Sequence, residues 1–91
     1  MLPITEAKLV YNQIEEMIKL IVFDIKKQKI DISIPLIQFL NSLEYIDMIA
    51  SIENNLHIEL DDDCLYIDAF NTIEDLINYI LKRYKFVEKS L

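Results

Sequence analysis

The stretch that decides the fold runs from Leu40 to Leu56, LNSLEYIDMIASIENNL. Asn41 is a residue type that caps helices, and Glu44 lies three positions later, where its side chain can reach back to the cap amide. The apolar residues that follow recur at helical spacing, which predicts a helix over residues 42–55. The inward residues are predicted to be Leu43, Ile46, Ile49, Ala50, Ile52 and Leu56. The outward residues are predicted to be Glu44, Asp47 and Asn54.

Two longer segments and one short segment add further helices. Residues 5–27 and 73–85 repeat apolar side chains at intervals of three and four, which predicts a helix in each. Thr5 and Thr72 have the side chains that cap such helices. A short helix is predicted over residues 62–68, after a run of acids.

The segment between the first two helices, residues 28–40, alternates apolar and polar residues as far as Pro35. We interpret it as a long loop held on the core by Ile30, Ile32, Ile34 and Leu36. A strand is the alternative, with residues 57–60 as its candidate partner, but a sheet of two strands is marginal in water. The sequence therefore predicts one domain over residues 1–91, an all-α four-helix bundle with three long helices and a short third helix.

Composition excludes several classes of function. The 91 residues contain no glycine, which excludes the glycine-rich loops that hold nucleotide phosphates. One cysteine cannot form an internal disulfide, and the first ten residues do not have the pattern of a secretory signal, so we expect a cytoplasmic protein. Met17 to Ile25 is too short and too charged for a membrane span. We expect a monomer.

Charge is distributed unevenly along the chain. Residues 30–81 contain eleven acids and neither Lys nor Arg, and the formal net charge is −7. Such a segment repels nucleic acid, so we expect no nucleic-acid partner and favour a basic protein partner. The alternative is that the acids keep an isoleucine-rich domain in solution.

Two groups of residues are weak candidates for chemistry. Cys64 with His57 suggests a thiol activated by imidazole, as in a small hydrolase, but no third group is spaced to orient them. Asp61 to Asp63 with Glu59 do not have the ligand spacing of a calcium loop. A buried structural cysteine, a surface histidine and solvated acids are the favoured interpretations, and we expect no metal site.

The segment that begins at Ser42 is the strongest candidate, and here the sequence resembles the acyl carrier protein family. Ser42 and Leu43 match the family motif Asp-Ser-Leu, and acids alternate with aliphatic residues after it. Residues 58–60 resemble the family's short segment before its third helix, and residues 71–80 resemble its closing helix. The resemblance covers nearly the whole chain, in order and at compatible spacing.

This resemblance implies a non-enzymatic carrier. It implies that a phosphopantetheinyl transferase attaches 4′-phosphopantetheine to Ser42, and that the arm carries acyl groups as thioesters to loading and synthase enzymes with basic docking surfaces. The pathway would be fatty-acid, polyketide or related synthesis. Partner contacts are expected at Leu43, Glu44, Asp47 and Met48. The acyl cavity is expected at Ile46, Ile49, Ile73 and Ile77.

The sequence departs from the family motif at two positions. Asn41 stands in place of the aspartate before the serine, and Phe39 stands near the place of a glycine. Asparagine caps a helix about as well as aspartate, so the helix start is preserved. Phe39 is expected to anchor the loop by packing its ring on the helices. An unmodified helical module that binds a basic partner protein is the alternative function.

Overall fold

The computed structural model describes residues 3–84, which form an all-helical domain. Its α-helices are α1 (Pro3–Lys26), α2 (Leu36–Phe39), α3 (Ser42–Leu56) and α4 (Ile73–Tyr84), and a 3₁₀ turn covers Asp62–Leu65. No strand occurs within the described residues. Three long helices in the predicted order are therefore confirmed, and the alternative strand before Pro35 is wrong.

The helix starts agree best with prediction where a cap marks them. The Asn41 side chain accepts a hydrogen bond from the Glu44 amide at 2.8 Å, and the Glu44 carboxylate accepts one from the Asn41 amide at 2.9 Å. This capping box starts α3 at the predicted residue. Thr72 accepts a hydrogen bond from the Asp75 amide at 3.2 Å, just before α4. By contrast, α1 begins at Pro3 rather than at residue 5, so the prediction that Thr5 caps this helix is wrong.

Other boundaries differ from prediction. The predicted loop over residues 28–40 contains α2, a single turn that begins after Pro35. The predicted short helix over residues 62–68 ends at Leu65, because the chain turns with a hydrogen bond from the Ala69 amide to the Tyr66 carbonyl. The last residue of the predicted fourth helix, residue 85, lies outside the described residues.

The core lies between α1, α3 and α4, with α1 packed against both of the others. It is built mostly of aliphatic side chains, together with Tyr45, Met48 and Cys64. The fully buried residues are Ile18, Val22, Leu36, Tyr45, Met48, Ile49, Ile52, Ile73, Leu76, Ile77 and Ile80. Burial of this apolar surface is the main force that holds the helices together.

The loop before α2 is held on the core by three of the four predicted residues, and Ile34 is only half-buried and is not part of the described core. Ile30 and Leu36 are buried, and Ile32 packs against the core. Two backbone hydrogen bonds join this loop to the start of α4, from the Leu36 amide to the Asn71 carbonyl and from the Glu74 amide to the Ile32 carbonyl. These bonds therefore hold the loop against the start of α4.

Phe39 adds a second attachment at the end of α2. Its ring is half-buried against the core, and the Lys26 ammonium lies 5.9 Å from the ring centroid. A cation at this distance from an aromatic face is attracted to the ring. The packing confirms the prediction that Phe39 anchors this part of the loop.

Candidate functional site

Ser42 is the first residue of α3, and it is exposed. The first-turn amide of Glu44 donates to the Asn41 side chain, and the amide of Tyr45 donates to the Asn41 carbonyl at 2.9 Å. Helix geometry leaves the amides of Ser42 and Leu43 directed out of the helix start. The Ser42 hydroxyl therefore lies beside two backbone donors and the positive end of the helix dipole, an arrangement that favours an attached phosphate.

A surface groove of about 770 Å³ opens beside this serine. We call it the Ser42 groove. Its lining residues are Ile37, Ser42, Ile46, Asp62, Leu65, Tyr66, Ile67 and Asp68. Ile37 and Tyr66 are largely exposed, so apolar and aromatic surface faces solvent next to the hydroxyl. This apolar surface beside an exposed hydroxyl makes the groove the candidate binding surface of the domain.

The residues predicted to contact a partner fall into two groups. Leu43 is 75% exposed and Asp47 is also exposed, so both can contact another molecule. Met48, in contrast, is fully buried, and its prediction as a surface contact is wrong. The reason is that Tyr45, Met48, Ile49 and Ile52 form the inward face of α3. Leu43, Ile46 and Ala50, which were predicted to point inward, are exposed.

Glu44 is accessible only in part, because it joins α3 to the end of α1. Both of its carboxylate oxygens lie 3.1 Å from the Lys26 ammonium, and one also accepts the Asn41 amide. The Asn41 amide and Lys26 hold the pKa of the Glu44 carboxyl below its ordinary value. Its negative charge is therefore used to position the start of α3, close to Ser42.

The four residues predicted to line an acyl cavity do not come together around one space. Ile49, Ile73 and Ile77 are fully buried in the close-packed core. Ile46 is 42% exposed and lines the Ser42 groove instead. It is offset from Ile49 by roughly 60° around α3, which places it at the exposed edge of the inward face.

Behind the groove, Tyr45 fastens the 3₁₀ turn to α3. Its hydroxyl donates to the Cys64 carbonyl at 2.6 Å in the buried interior. Burial raises the pKa of the Tyr45 hydroxyl above its ordinary value. On the adjoining surface, Tyr79 donates to the Asp61 carboxylate at 3.2 Å. Burial, with the neighbouring Cys64 and Asp61, raises the pKa of Tyr79 to about 12.

The alternative thiol–imidazole pair has no support in this geometry. Cys64 is buried behind the groove, whereas His57 is exposed and ends α3 in the left-handed conformation. No hydrogen bond joins the two side chains within the part of the chain that the structure describes. In the same residues, no group of three or more His, Cys, Asp and Glu side chains is placed to hold a metal ion.

Several groove residues were not predicted from the sequence. Ile37 lies in the segment assigned to a loop, and Leu65 and Tyr66 lie where a longer helix was expected. The pair Leu65 and Tyr66, which follows three aspartates and Cys64, is a signal that could have identified this surface. A one-turn helix that buries Cys64 cannot also bury the two residues that follow it.

Comparison with known proteins adds no assignment. The sequence matches no protein-family model, no curated protein and no solved structure at a significant level. Within residues 3–84, no helix combines the length and the apolar character needed to cross a bilayer. The case for a function therefore depends on the residues around Ser42.

Proposed function

We propose that this protein is a carrier domain of the acyl carrier protein type, modified with 4′-phosphopantetheine at Ser42. The observation that carries the proposal is an exposed serine at the first residue of α3, beside an open apolar groove. When attached, the arm supplies a terminal thiol that holds acyl groups as thioesters. The protein itself catalyses no reaction in this proposal.

The residues around Ser42 fit such a group. The serine oxygen attacks the phosphorus of coenzyme A that bears the pantetheine, a new oxygen–phosphorus bond forms, the phosphorus–oxygen bond of the diphosphate bridge breaks, and adenosine 3′,5′-bisphosphate leaves. The transferase takes the hydroxyl proton. The amides of Ser42 and Leu43 then stabilise the phosphodiester, because unpaired amides at a helix start attract an anion.

The Ser42 groove is the proposed place for the carried group, instead of a cavity inside the bundle. The core residues Ile49, Ile73 and Ile77 leave no exposed surface for a chain to contact. Ile46, Leu65 and Tyr66 offer apolar contact beside the attachment point. A groove that is open to solvent suits short or polar acyl groups better than a long alkyl chain, which would stay largely in water.

Intact mass after incubation with coenzyme A, magnesium and a broad-specificity phosphopantetheinyl transferase tests the attachment. We expect the wild-type chain to gain one phosphopantetheine and Ser42→Ala to gain none. Ser51→Ala is the matched control, since it removes a serine from the same helix away from its start. Modification of Ser42→Ala, or failure of every tested transferase on the wild type, contradicts the proposal.

The alternative function is an unmodified helical module that binds a basic partner through the same face. The observation in its favour is that Asp47, Asp62 and Asp68 stay exposed around the groove. Titration of a polylysine peptide into the unmodified chain, followed by calorimetry, tests it. Binding that Asp47→Lys weakens, in a chain that no transferase modifies, favours this alternative.

Recognition by the transferase is a separate test of the proposal. We expect Asp47→Lys to slow modification, because the basic surface of a docking enzyme is attracted to exposed acids near the serine. Asp24→Lys on α1 makes the same change in net charge on another helix and serves as the control. Equal rates for the two variants would show that Asp47 has no part in docking.

A further inference from the structure

The carboxylate of Glu44 lies where the end of α1 meets the start of α3, in the same helical turn as Ser42. The sequence predicts Glu44 as a partner contact, but Lys26 of the same chain already contacts it. The Lys26 ammonium donates to both carboxylate oxygens at 3.1 Å. The two side chains are 26% and 24% exposed, so the pair can be reached from solvent. The acid beside the candidate attachment point is therefore occupied by an internal base.

The contacts of Glu44 divide into one that holds the helix start and one that can be exchanged. One carboxylate oxygen accepts the Asn41 amide at 2.9 Å, and this bond belongs to the capping box. An ionised carboxylate has about four acceptor positions, of which the amide uses one. Another cation can therefore replace Lys26 while the cap stays intact. Ser42 then keeps its place at the first residue of α3.

Phe39 gives the Lys26 side chain a position that does not need Glu44. The ammonium lies 5.9 Å from the centroid of the Phe39 ring, and an aromatic face attracts a cation without help from a carboxylate. A partly exposed ion pair of this kind also contributes little to the stability of a fold. Release of Glu44 by Lys26 is therefore a small change that a docking partner can bring about.

We infer that Lys26 masks Glu44, and that a basic partner protein docks at the start of α3 by placing an arginine on Glu44 in place of Lys26. Arginine suits this exchange better than lysine, because its planar guanidinium donates two parallel N–H bonds to the two oxygens of a carboxylate. Leu43, the preceding residue, is 75% exposed and offers apolar contact to the same partner. Lys26 then determines specificity, since it weakens binding of partners that offer only diffuse positive charge. This inference deepens the proposed function and concerns how the same site meets its partners.

Removal of Lys26 separates masking from a purely structural role, because the two predict opposite results. A structural role predicts that Lys26→Met loosens the start of α3, so that a phosphopantetheinyl transferase shows a lower kcat or a higher KM for this chain. Masking predicts that KM falls about fivefold with kcat unchanged, because Glu44 is free to pair with the enzyme. Lys26→Gln should give the same fall and replaces Lys26→Met if circular dichroism shows that the latter does not fold.

Lys27→Met is the matched control. It removes one positive charge, as Lys26→Met does, but Lys27 is exposed and makes no ion pair among residues 3–84. Its KM should change less than about twofold at physiological salt. Glu44→Gln keeps an acceptor for the cap amide, and in that background Lys26→Met should lose its advantage over Lys27→Met.

Three outcomes with the transferase overturn the inference. The first is a higher KM for Lys26→Met than for the wild type. The second is an equal KM for Lys26→Met and Lys27→Met, which would show that net charge alone decides docking. The third is an advantage of Lys26→Met that persists when Glu44→Gln is present, because the gain would then not depend on the carboxylate.

A binding measurement keeps this inference distinct from the proposed function. If no transferase modifies the wild type, the proposed function fails, and a short polyarginine peptide titrated into the unmodified chains tests the mask instead. We expect calorimetry to show that Lys26→Met binds the peptide about fivefold more tightly than Lys27→Met does. Equal affinities of the two variants would show that Lys26 does not mask Glu44.

Discussion

At the scale of single residues, Tyr45 makes the buried polar contact that fixes the 3₁₀ turn behind Ser42. Its hydroxyl donates to the Cys64 carbonyl at 2.6 Å. Tyr45→Phe removes the hydroxyl and leaves the buried Cys64 carbonyl without that hydrogen-bond donor. This loss should lower the unfolding free energy by about 1 to 2 kcal/mol. Urea denaturation measures the loss. Tyr66→Phe, at a largely exposed tyrosine, should be neutral and is the control.

The same tyrosine makes stability depend on alkaline pH. Burial favours the neutral phenol and raises the pKa of Tyr45 above its ordinary value of 10.0. The contribution of Tyr45 to the unfolding free energy is therefore complete below pH 10.0, and it is lost as the pH rises toward the higher pKa of the folded state. We expect unfolding free energy to fall less steeply above pH 10.0 in Tyr45→Phe than in the wild type. Parallel slopes in the two proteins would contradict this assignment.

At the scale of helices, the chain ends α3 without a glycine. His57 adopts the left-handed conformation, with φ 57° and ψ 46°, and its amide donates to the Glu53 carbonyl. A side chain in this conformation costs free energy that glycine avoids. We expect His57→Gly to raise the unfolding free energy by about 0.5 to 1 kcal/mol. Asn54→Gly, within the same helix, should lower it by about 0.3 kcal/mol, and thermal melts of the two variants compare them.

The presence or absence of local capping residues explains which helix boundaries the sequence could predict. The start of α3 is set by Asn41 and Glu44, whose side chains each bond the backbone amide of the other across three residues, so local sequence was sufficient to predict it. The ends of the 3₁₀ turn and of α2 have no such local signal. They depend on how Cys64 and Leu36 fit into a core built from distant segments.

The inward face of α3 was the harder prediction, for a physical reason. Nearly every side of this helix carries an aliphatic or aromatic residue, so helical periodicity fits more than one face. Tyr45 and Met48 face inward because α1 lies on that side, and Leu43 and Ile46 are left on the surface. The position of Ser42 was predictable, but the groove beside it depends on where three separate segments meet.

At the scale of the whole molecule, folding brings the bases near the ends of the chain onto the acidic centre. Lys26 pairs with Glu44 at 3.1 Å, and Arg83 lies 4.0 Å from Asp61. Both acids belong to the segment of residues 30–81 that contains no base of its own. The fold therefore neutralises part of a charge imbalance that the sequence shows only as separate blocks. The acids that remain exposed give the surface around Ser42 its negative character.

The remaining imbalance predicts how salt changes stability. Exposed ion pairs contribute little to the stability of the fold, and salt weakens them. A net charge of −7, in contrast, produces repulsion over the whole surface. The screening length falls from roughly 20 Å in ~20 mM salt to roughly 4 Å in ~500 mM salt, which suppresses that repulsion. We expect Tm to rise by about 2 to 5 °C over this range in dilute protein.

Two comparisons separate this repulsion from other effects of salt. Near the isoelectric point of about 4.5 the repulsion vanishes, so sodium chloride should leave Tm nearly unchanged there. Glu44→Gln removes one acid but also the partner of Lys26, so its Tm should fall at low salt. Asp47→Asn removes one acid that has no ion-pair partner among residues 3–84, and its Tm should rise. A fall in wild-type Tm with salt at neutral pH would show that attraction between Lys26 and Glu44, and between similar pairs, outweighs the repulsion among the central acids.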